Sequence, residues 1–174
     1  FLAASVLPFL AGVLLAPEGV GATATLLGLA AVAATHLSAN LINDLSDTRA
    51  GVDTQNETPY GFFGGSKLIH TGRLSASVFR ISACAFAALA LLCVAVLAGR
   101  TGRLEVVAIA VAVVAVAWAY SCPPFRLSYR YLGEPVVFLL FGPAVVMAGE
   151  SVQTGAMPSC DSALLAVPFG LLTT

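Results

Sequence analysis

From Ala76 to Leu97 the chain carries a single charge, Arg80, and from Leu104 to Tyr120 it carries one more, Glu105. A hydrocarbon layer of about 30 Å takes about 20 helical residues to cross. A helix that crosses it satisfies its own backbone groups, so long uncharged runs that end in polar or helix-breaking residues are the signal to follow. Composition agrees: apolar residues make up 59% of the 174 positions and charged residues 10%, whereas soluble domains carry about a quarter charged residues. Eight Lys plus Arg and nine Asp plus Glu are too few to cover a water-soluble exterior. The chain is therefore expected to be an all-α, polytopic transmembrane bundle. The net charge of −1 implies nothing about partners.

Six spans are expected. They cover residues 1 to 16, Val20 to Asp44, Ala76 to Leu97, Leu104 to Tyr120, Pro135 to Gly149 or Val152, and a last one from Asp161. Pro135, just after Glu134, suits a first helical position. The charges gather in two polar connections, residues 45 to 75 and 121 to 134, which fall on one side of the membrane if the spans alternate. Arg49, Lys67, Arg73, Arg80, Arg126 and Arg130 lie in or beside these connections, and Arg100 and Arg103 lie opposite. The positive-inside bias then puts the connections in the cytoplasm. The opening on FLAASVLPFL without a Met, and the close inside the apolar ALLAVPFGLLTT, lead us to expect one domain over 1–174, truncated at both ends. Cys84, Cys93, Cys122 and Cys160 show no C-x-x-C spacing and read as membrane-embedded thiols. No basic patch interleaved with aromatics supports nucleic-acid binding, and no feature calls for a protein partner.

The second run ends in THLSANLINDLSDTRAGVDT. At 100° per residue Asn40, Asp44 and Asp47 fall within about 60° of one another, with His36 and Asn43 beside them. An Asp at the centre of a spanning helix costs roughly 2.5 to 3.5 kcal/mol on insertion scales, so this stripe belongs near a helix end or against a hydrated cavity. Neighbouring carboxylates repel one another unless a cation lies between them. Hard oxygen ligands of this kind suit Mg²⁺, which takes one or two carboxylates together with substrate phosphate oxygens. Asp53, past Gly51, is placed to reach the same ion. The simpler reading is that Asn and Asp end helices and start turns as a matter of course; a stripe reaching two turns back into an apolar helix favours the site.

The next stretch, ETPYGFFGGSKLIHTGRLS, holds Gly61, Gly64 and Gly65 followed by Lys67. Such glycines allow backbone N–H groups to face an anion, and Lys67 can neutralise charge on a departing diphosphate. The spacing is not that of a Walker motif, and an interfacial anchor is the plainer role for Lys67. His36 and His70 read as structural. The other connection, YSCPPFRLSYRYLGEP, brings Tyr120, Arg126, Tyr129, Arg130 and Tyr131 to the same side. These are ordinary interface residue types that also suit a cationic wall over the acidic stripe.

The run N-D-L-S-D-T-R-A-G-V-D, Asn43 to Asp53, resembles the first aspartate-rich motif of the UbiA superfamily of membrane prenyltransferases. G-G-S-K-L-I-H-T-G-R-L-S is similar to the segment that follows it, and Y-R-Y-L-G-E-P-V-V-F-L-L-F-G-P resembles the 1,4-dihydroxy-2-naphthoate prenyltransferase branch. The resemblance implies a bundle of about nine helices with a second aspartate-rich loop after the sixth, beyond this chain. It implies Mg²⁺-dependent prenyl transfer from a polyprenyl diphosphate to an aromatic acceptor in quinone (menaquinone) biosynthesis, in the bilayer of a bacterial or archaeal cell membrane. By that likeness Asn43, Asp44, Asp47 and Asp53 hold the metal and Lys67 contacts the diphosphate; with the reading of the two connections, Asp44, Asp47 and Lys67 are expected to act in catalysis and Asn40, Asn43, Arg49, Lys67, Tyr120, Arg126 and Arg130 to line the substrates.

Two other readings compete. A secondary transporter places Asn and Asp on an interrupted helix, but near the bilayer midplane, whereas this stripe lies at a helix end. A CDP-alcohol phosphatidyltransferase also uses an acidic helix end with a metal, yet its D-x-x-D-G-x-x-A-R spacing is not met, because Gly51 lies four residues after Asp47.

Overall fold

A computed structural model describes residues 2–17, 20–51 and 66–174. Among these the chain is all-α. The helices are α1 (Ala3–Val13), α2 (Ala22–Ala50), α3 (Ala76–Thr101), α4 (Glu105–Ala119), α5 (Gly133–Leu139), α6 (Val145–Thr154) and α7 (Cys160–Thr173). A π-helical turn, Leu140–Ala144, joins α5 to α6 into one rod, and a 3₁₀ turn, Leu127–Arg130, precedes α5. α2, α3 and the rod Gly133–Thr154 are long and apolar enough to cross a membrane, and α1, α4 and α7 are shorter apolar helices. The expected six runs thus appear as six helical rods. Ile81, Leu92, Ile109, Leu164 and Leu171 face outward, the inverse of a water-soluble surface, and the four cysteines are free thiols.

Helix ends follow local chemistry. Ser75 caps α3 by accepting from the Val78 amide, and Ser159 caps α7 by accepting from Ser162, each satisfying an otherwise orphaned donor. Gly51 and Gly102 close α2 and α3 in the left-handed region, with φ of 76° and 73°, where glycine carries no Cβ penalty. Pro143 sits inside the π turn; lacking an N–H, it cannot continue the regular hydrogen-bond ladder.

Two boundaries differ from the sequence expectation. α2 does not stop at Asp44 but continues to Ala50, so residues 45 to 50 are helix rather than loop. Twenty-nine residues make a rod of about 43 Å, longer than a hydrocarbon layer of about 30 Å is thick. α5 begins at Gly133 rather than Pro135, within the usual one- or two-residue spread of helix starts.

Small residues set the helix spacing. A Cβ at Gly12 would lie 1.9 Å from the Val146 carbonyl oxygen, and one at Gly149 would lie 2.1 Å from that of Phe9. α1 and α6 therefore touch backbone to backbone, as membrane helices do through small residues. α2 packs most extensively against α3. Ser38 ties three helices together: its hydroxyl donates to the Ala83 carbonyl on α3 at 2.8 Å and accepts from the Trp118 indole on α4 at 2.9 Å.

Candidate active site

The C-terminal end of α2 carries the acidic stripe, and residues of both polar connections close on it. Asp47 accepts from the Tyr129 hydroxyl at 2.8 Å through Oδ1 and from Asn43 Nδ2 at 3.0 Å through Oδ2. The Asn43–Asp47 bond spans one helical turn, the i, i+4 spacing at which side chains meet. Asn43 Oδ1 in turn accepts from the Ser121 hydroxyl. Asp44 Oδ2 accepts from the Ser66 amide at 3.0 Å and its hydroxyl at 2.7 Å. The expectation that the two connections converge on one face is met by these contacts: residue 66 arrives from one, residues 121 and 129 from the other.

The stripe sits over two joined spaces. A pocket of about 230 Å³ is lined by Asn43, Asp47, Tyr120, Ser128 and Tyr129. Beneath it lies a chamber of about 950 Å³ whose walls are mainly apolar, with Val32, Val94, Val113 and Phe141 among them. Asn43 and Tyr120 line both. The arrangement is a polar mouth over a long apolar interior, suited to a molecule with a charged head and a hydrocarbon tail.

The anticipated residues separate into three groups. Asn40, Asn43 and Tyr120 line the chamber, and Asp47 the mouth. Asp44 is held by Ser66, and Lys67 follows at once, 6% exposed with φ of 55°. That backbone conformation is uncommon for a residue with a side chain. Arg49 is exposed in the last turn of α2, where a cation complements the helix dipole. Arg126 lies 5.9 Å from the Tyr129 ring centre, and Arg130 donates to the Pro124 carbonyl at 3.0 Å; both are exposed, and neither lines the pocket or the chamber. Asp53 and Gly61, Gly64 and Gly65 lie outside the described residues. His36 bonds to the Ser5 hydroxyl and meets the edge of Phe141, with ring centres 5.2 Å apart. Sequence reasoning missed Ser66, Ser121 and Ser128, for which no spacing rule exists.

Among the described residues no three His, Cys, Asp or Glu side chains group around one point. The donors that do share the α2 face are the carboxylates of Asp44 and Asp47 and the amides of Asn40 and Asn43, all offering hard oxygen ligands. That set fits Mg²⁺, which ordinarily takes one or two protein carboxylates and completes its shell with water and phosphate oxygens.

Such a bundle, apolar on its outside and carrying an acidic mouth over a hydrocarbon-lined interior, is an integral membrane protein built to handle an amphiphile. The chain belongs to the UbiA prenyltransferase family, whose model matches residues 5–174. It is 31% identical over 109 residues to the chloroplastic 2-carboxy-1,4-naphthoquinone phytyltransferase of Arabidopsis thaliana, a match covering 63% of this chain and 26% of that protein. The match thus spans about a quarter of the relative's length. No solved structure matches the chain significantly.

Proposed function

We propose that this chain carries the first metal-binding half and the prenyl chamber of a Mg²⁺-dependent membrane prenyltransferase. The enzyme moves a prenyl group from a polyprenyl diphosphate to an aromatic acceptor of the naphthalenoid quinone class, 1,4-dihydroxy-2-naphthoate being the reference compound. The observation that carries the reading is the sharing of Asn43 and Tyr120 between a polar mouth and an apolar chamber: a diphosphate fits the first and its hydrocarbon tail the second. Family membership and the naphthoquinone phytyltransferase relative support the same chemistry.

Asn43, Asp44, Asp47 and Asp53 would hold Mg²⁺, which supplies positive charge against the negative charge growing on the diphosphate. Lys67, next in sequence to the Ser66 that holds Asp44, would supply a further positive charge to the diphosphate. As the allylic C–O bond breaks, the electron pair leaves with the diphosphate and the prenyl carbon bonds to an electron-rich ring carbon. The ring then loses a proton, or a carboxyl group as CO₂, to restore aromaticity. The apolar walls around the tail exclude water that would otherwise capture the prenyl cation. Six of the eight Lys and Arg side chains lie in or beside the two connections, which supports a cytoplasmic mouth.

The test is transfer of an isotope-labelled polyprenyl diphosphate to 1,4-dihydroxy-2-naphthoate by the full-length protein in lipid nanodiscs, with and without EDTA. Asp47→Ala is expected to abolish transfer, and EDTA to stop it until Mg²⁺ is restored. Undiminished transfer by the Asp47→Ala protein defeats the assignment; turnover of a CDP-alcohol instead favours the phosphatidyltransferase reading.

A further inference from the structure

The walls of the chamber differ in chemistry from helix to helix. Each lining residue of α3 from Ala90 to Ala98 and of α4 from Val106 to Ala117 is apolar. The lining from α2 and α1 instead carries Asn43, Asn40, His36, Thr35 and Ser5. A hydrocarbon tail offers these side chains no hydrogen bond, and a polar group inside a spanning helix is costly unless it meets a partner.

Most of the five have one within the protein. Asn43 bonds to Asp47 and Ser121, the Thr35 hydroxyl donates to the Ala31 carbonyl at 2.9 Å, and His36 bonds to Ser5. Asn40 is different. It is half-buried on the chamber wall, and among the described residues no hydrogen bond reaches its side-chain amide. That amide can donate through Nδ2 and accept through Oδ1.

Position decides what meets it. Asn43 marks the junction of mouth and chamber, and Asn40 lies one turn further in, about 4–5 Å along the helix axis. With the diphosphate in the mouth, the prenyl carbon that changes partners hangs just below it. The ring carbon that attacks has to come within about 3–3.5 Å of that carbon. A hydroxyl on the neighbouring ring carbon then falls at the level of Asn40.

Resting on the prenyltransferase reading above, we infer that Asn40 binds the aromatic acceptor: its amide hydrogen-bonds the ring hydroxyl beside the carbon that receives the prenyl group. The ring is thereby held on the α2 side, and the tail lies along the apolar residues of α3 and α4. Oδ1, accepting from that hydroxyl, also polarises it and leaves more electron density on the ring, which favours attack on the prenyl carbon.

The experiment measures KM for 1,4-dihydroxy-2-naphthoate and for the labelled polyprenyl diphosphate, using the full-length protein and its Asn40→Leu variant in nanodiscs. Leucine favours a spanning helix, so the fold is expected to hold; Asn40→Ala carries the same test if it does not. KM for the acceptor is expected to rise about fivefold or more, the scale of one hydrogen bond, while KM for the diphosphate stays within about twofold. As a competitor 2-naphthoate, which lacks both ring hydroxyls, is expected to show the same Ki with either protein. An acceptor KM that does not move, one matched by the rise for the diphosphate, or a 2-naphthoate Ki raised as far, overturns the assignment while leaving the enzyme standing. Failure of the unmodified protein to transfer any prenyl group overturns the prenyltransferase reading and the assignment with it.

Discussion

Gly12→Ala is the smallest change that tests how the bundle is held together. The added methyl would sit 1.9 Å from the Val146 carbonyl oxygen, where ordinary contact begins near 3.4 Å. α1 and α6 must therefore part by about 1.5 Å at their crossing, because the opposing atom is backbone and no side chain can swing aside. Overpacking of this kind costs about 1–3 kcal/mol, and a backbone obstacle places it in the upper part, about 2–3 kcal/mol. For a chain of this size each kcal/mol moves the midpoint by about 2–4 °C, so thermal unfolding in mild detergent should fall by about 4–12 °C. Ser5 and Phe9 of α1 and Ala148 of α6 also line the chamber, so transfer should fall as well. Gly99→Ala is the control: it lies exposed in α3, and a Cβ there meets nothing within 4 Å. Alanine is the better helix former by about 1 kcal/mol, so its midpoint should hold or rise. A Gly12→Ala midpoint equal to that of the unmodified protein, or a Gly99→Ala midpoint that falls as far, would refute backbone contact at this crossing.

Three further outcomes follow from the hydrogen bonds. Ser66→Ala removes the 2.7 Å bond to Asp44; bonds to charged groups contribute about 1.5–3 kcal/mol, and partial exposure reduces this to about 1–2 kcal/mol, so KM for the prenyl diphosphate should rise about 5- to 30-fold. An unchanged KM would show that Ser66 does not position the acid. Tyr129→Phe takes one donor from Asp47 and should lower kcat/KM about fivefold, equivalent to about 1 kcal/mol; full activity would remove Tyr129 from the site. Ser38→Ala deprives the Trp118 indole of its acceptor and the Ala83 carbonyl of a donor. At about 0.6–1.7 kcal/mol per bond in a membrane bundle the two bonds together are worth about 1–3 kcal/mol, and the unfolding midpoint should drop by about 2–14 °C; an unmoved midpoint would mean that the tie between α2, α3 and α4 is slack.

The membrane bundle was legible because its signal is repeated in every apolar run: few charges, then a polar or breaking residue. The end of α2 was less legible. NDLSDTRA reads as loop by composition, since Asn, Asp and Ser offer the backbone alternatives to a helix. The markers of continuation were Arg49 and Gly51, a last-turn cation and a left-handed cap, and they were outweighed by the density of acids. The acidic stripe itself could be read from the 3.6-residue period alone. Its partners could not. Ser66 lies 22 residues from Asp44, and Ser121 lies 78 residues from Asn43, separations that no local pattern encodes. Gly12 and Gly149 are visible as small residues, yet their pairing exists only in the crossing of α1 with α6.

α2 has two incompatible tasks, and its length reconciles them. As a span it must be apolar, and its most apolar 18-residue stretch reaches a mean hydropathy of 1.5 against 2.7 for α3, while its last turns carry Asn43, Asp44 and Asp47. By running on to Ala50 the helix keeps Asn43, Asp44 and Asp47 on one continuous face of its last turns, where Ser66 donates to Asp44, Tyr129 to Asp47 and Ser121 to Asn43, hydrogen bonds that the helix cannot supply. Those donors belong to connections that join different spans, so the orientation of the acids depends on contacts from outside α2. The helix alone thus presents the donor atoms, while docking of both loops fixes where they point. Ser121→Ala should therefore weaken metal and diphosphate binding through the orientation of Asn43, although Ser121 lines neither the pocket nor the chamber.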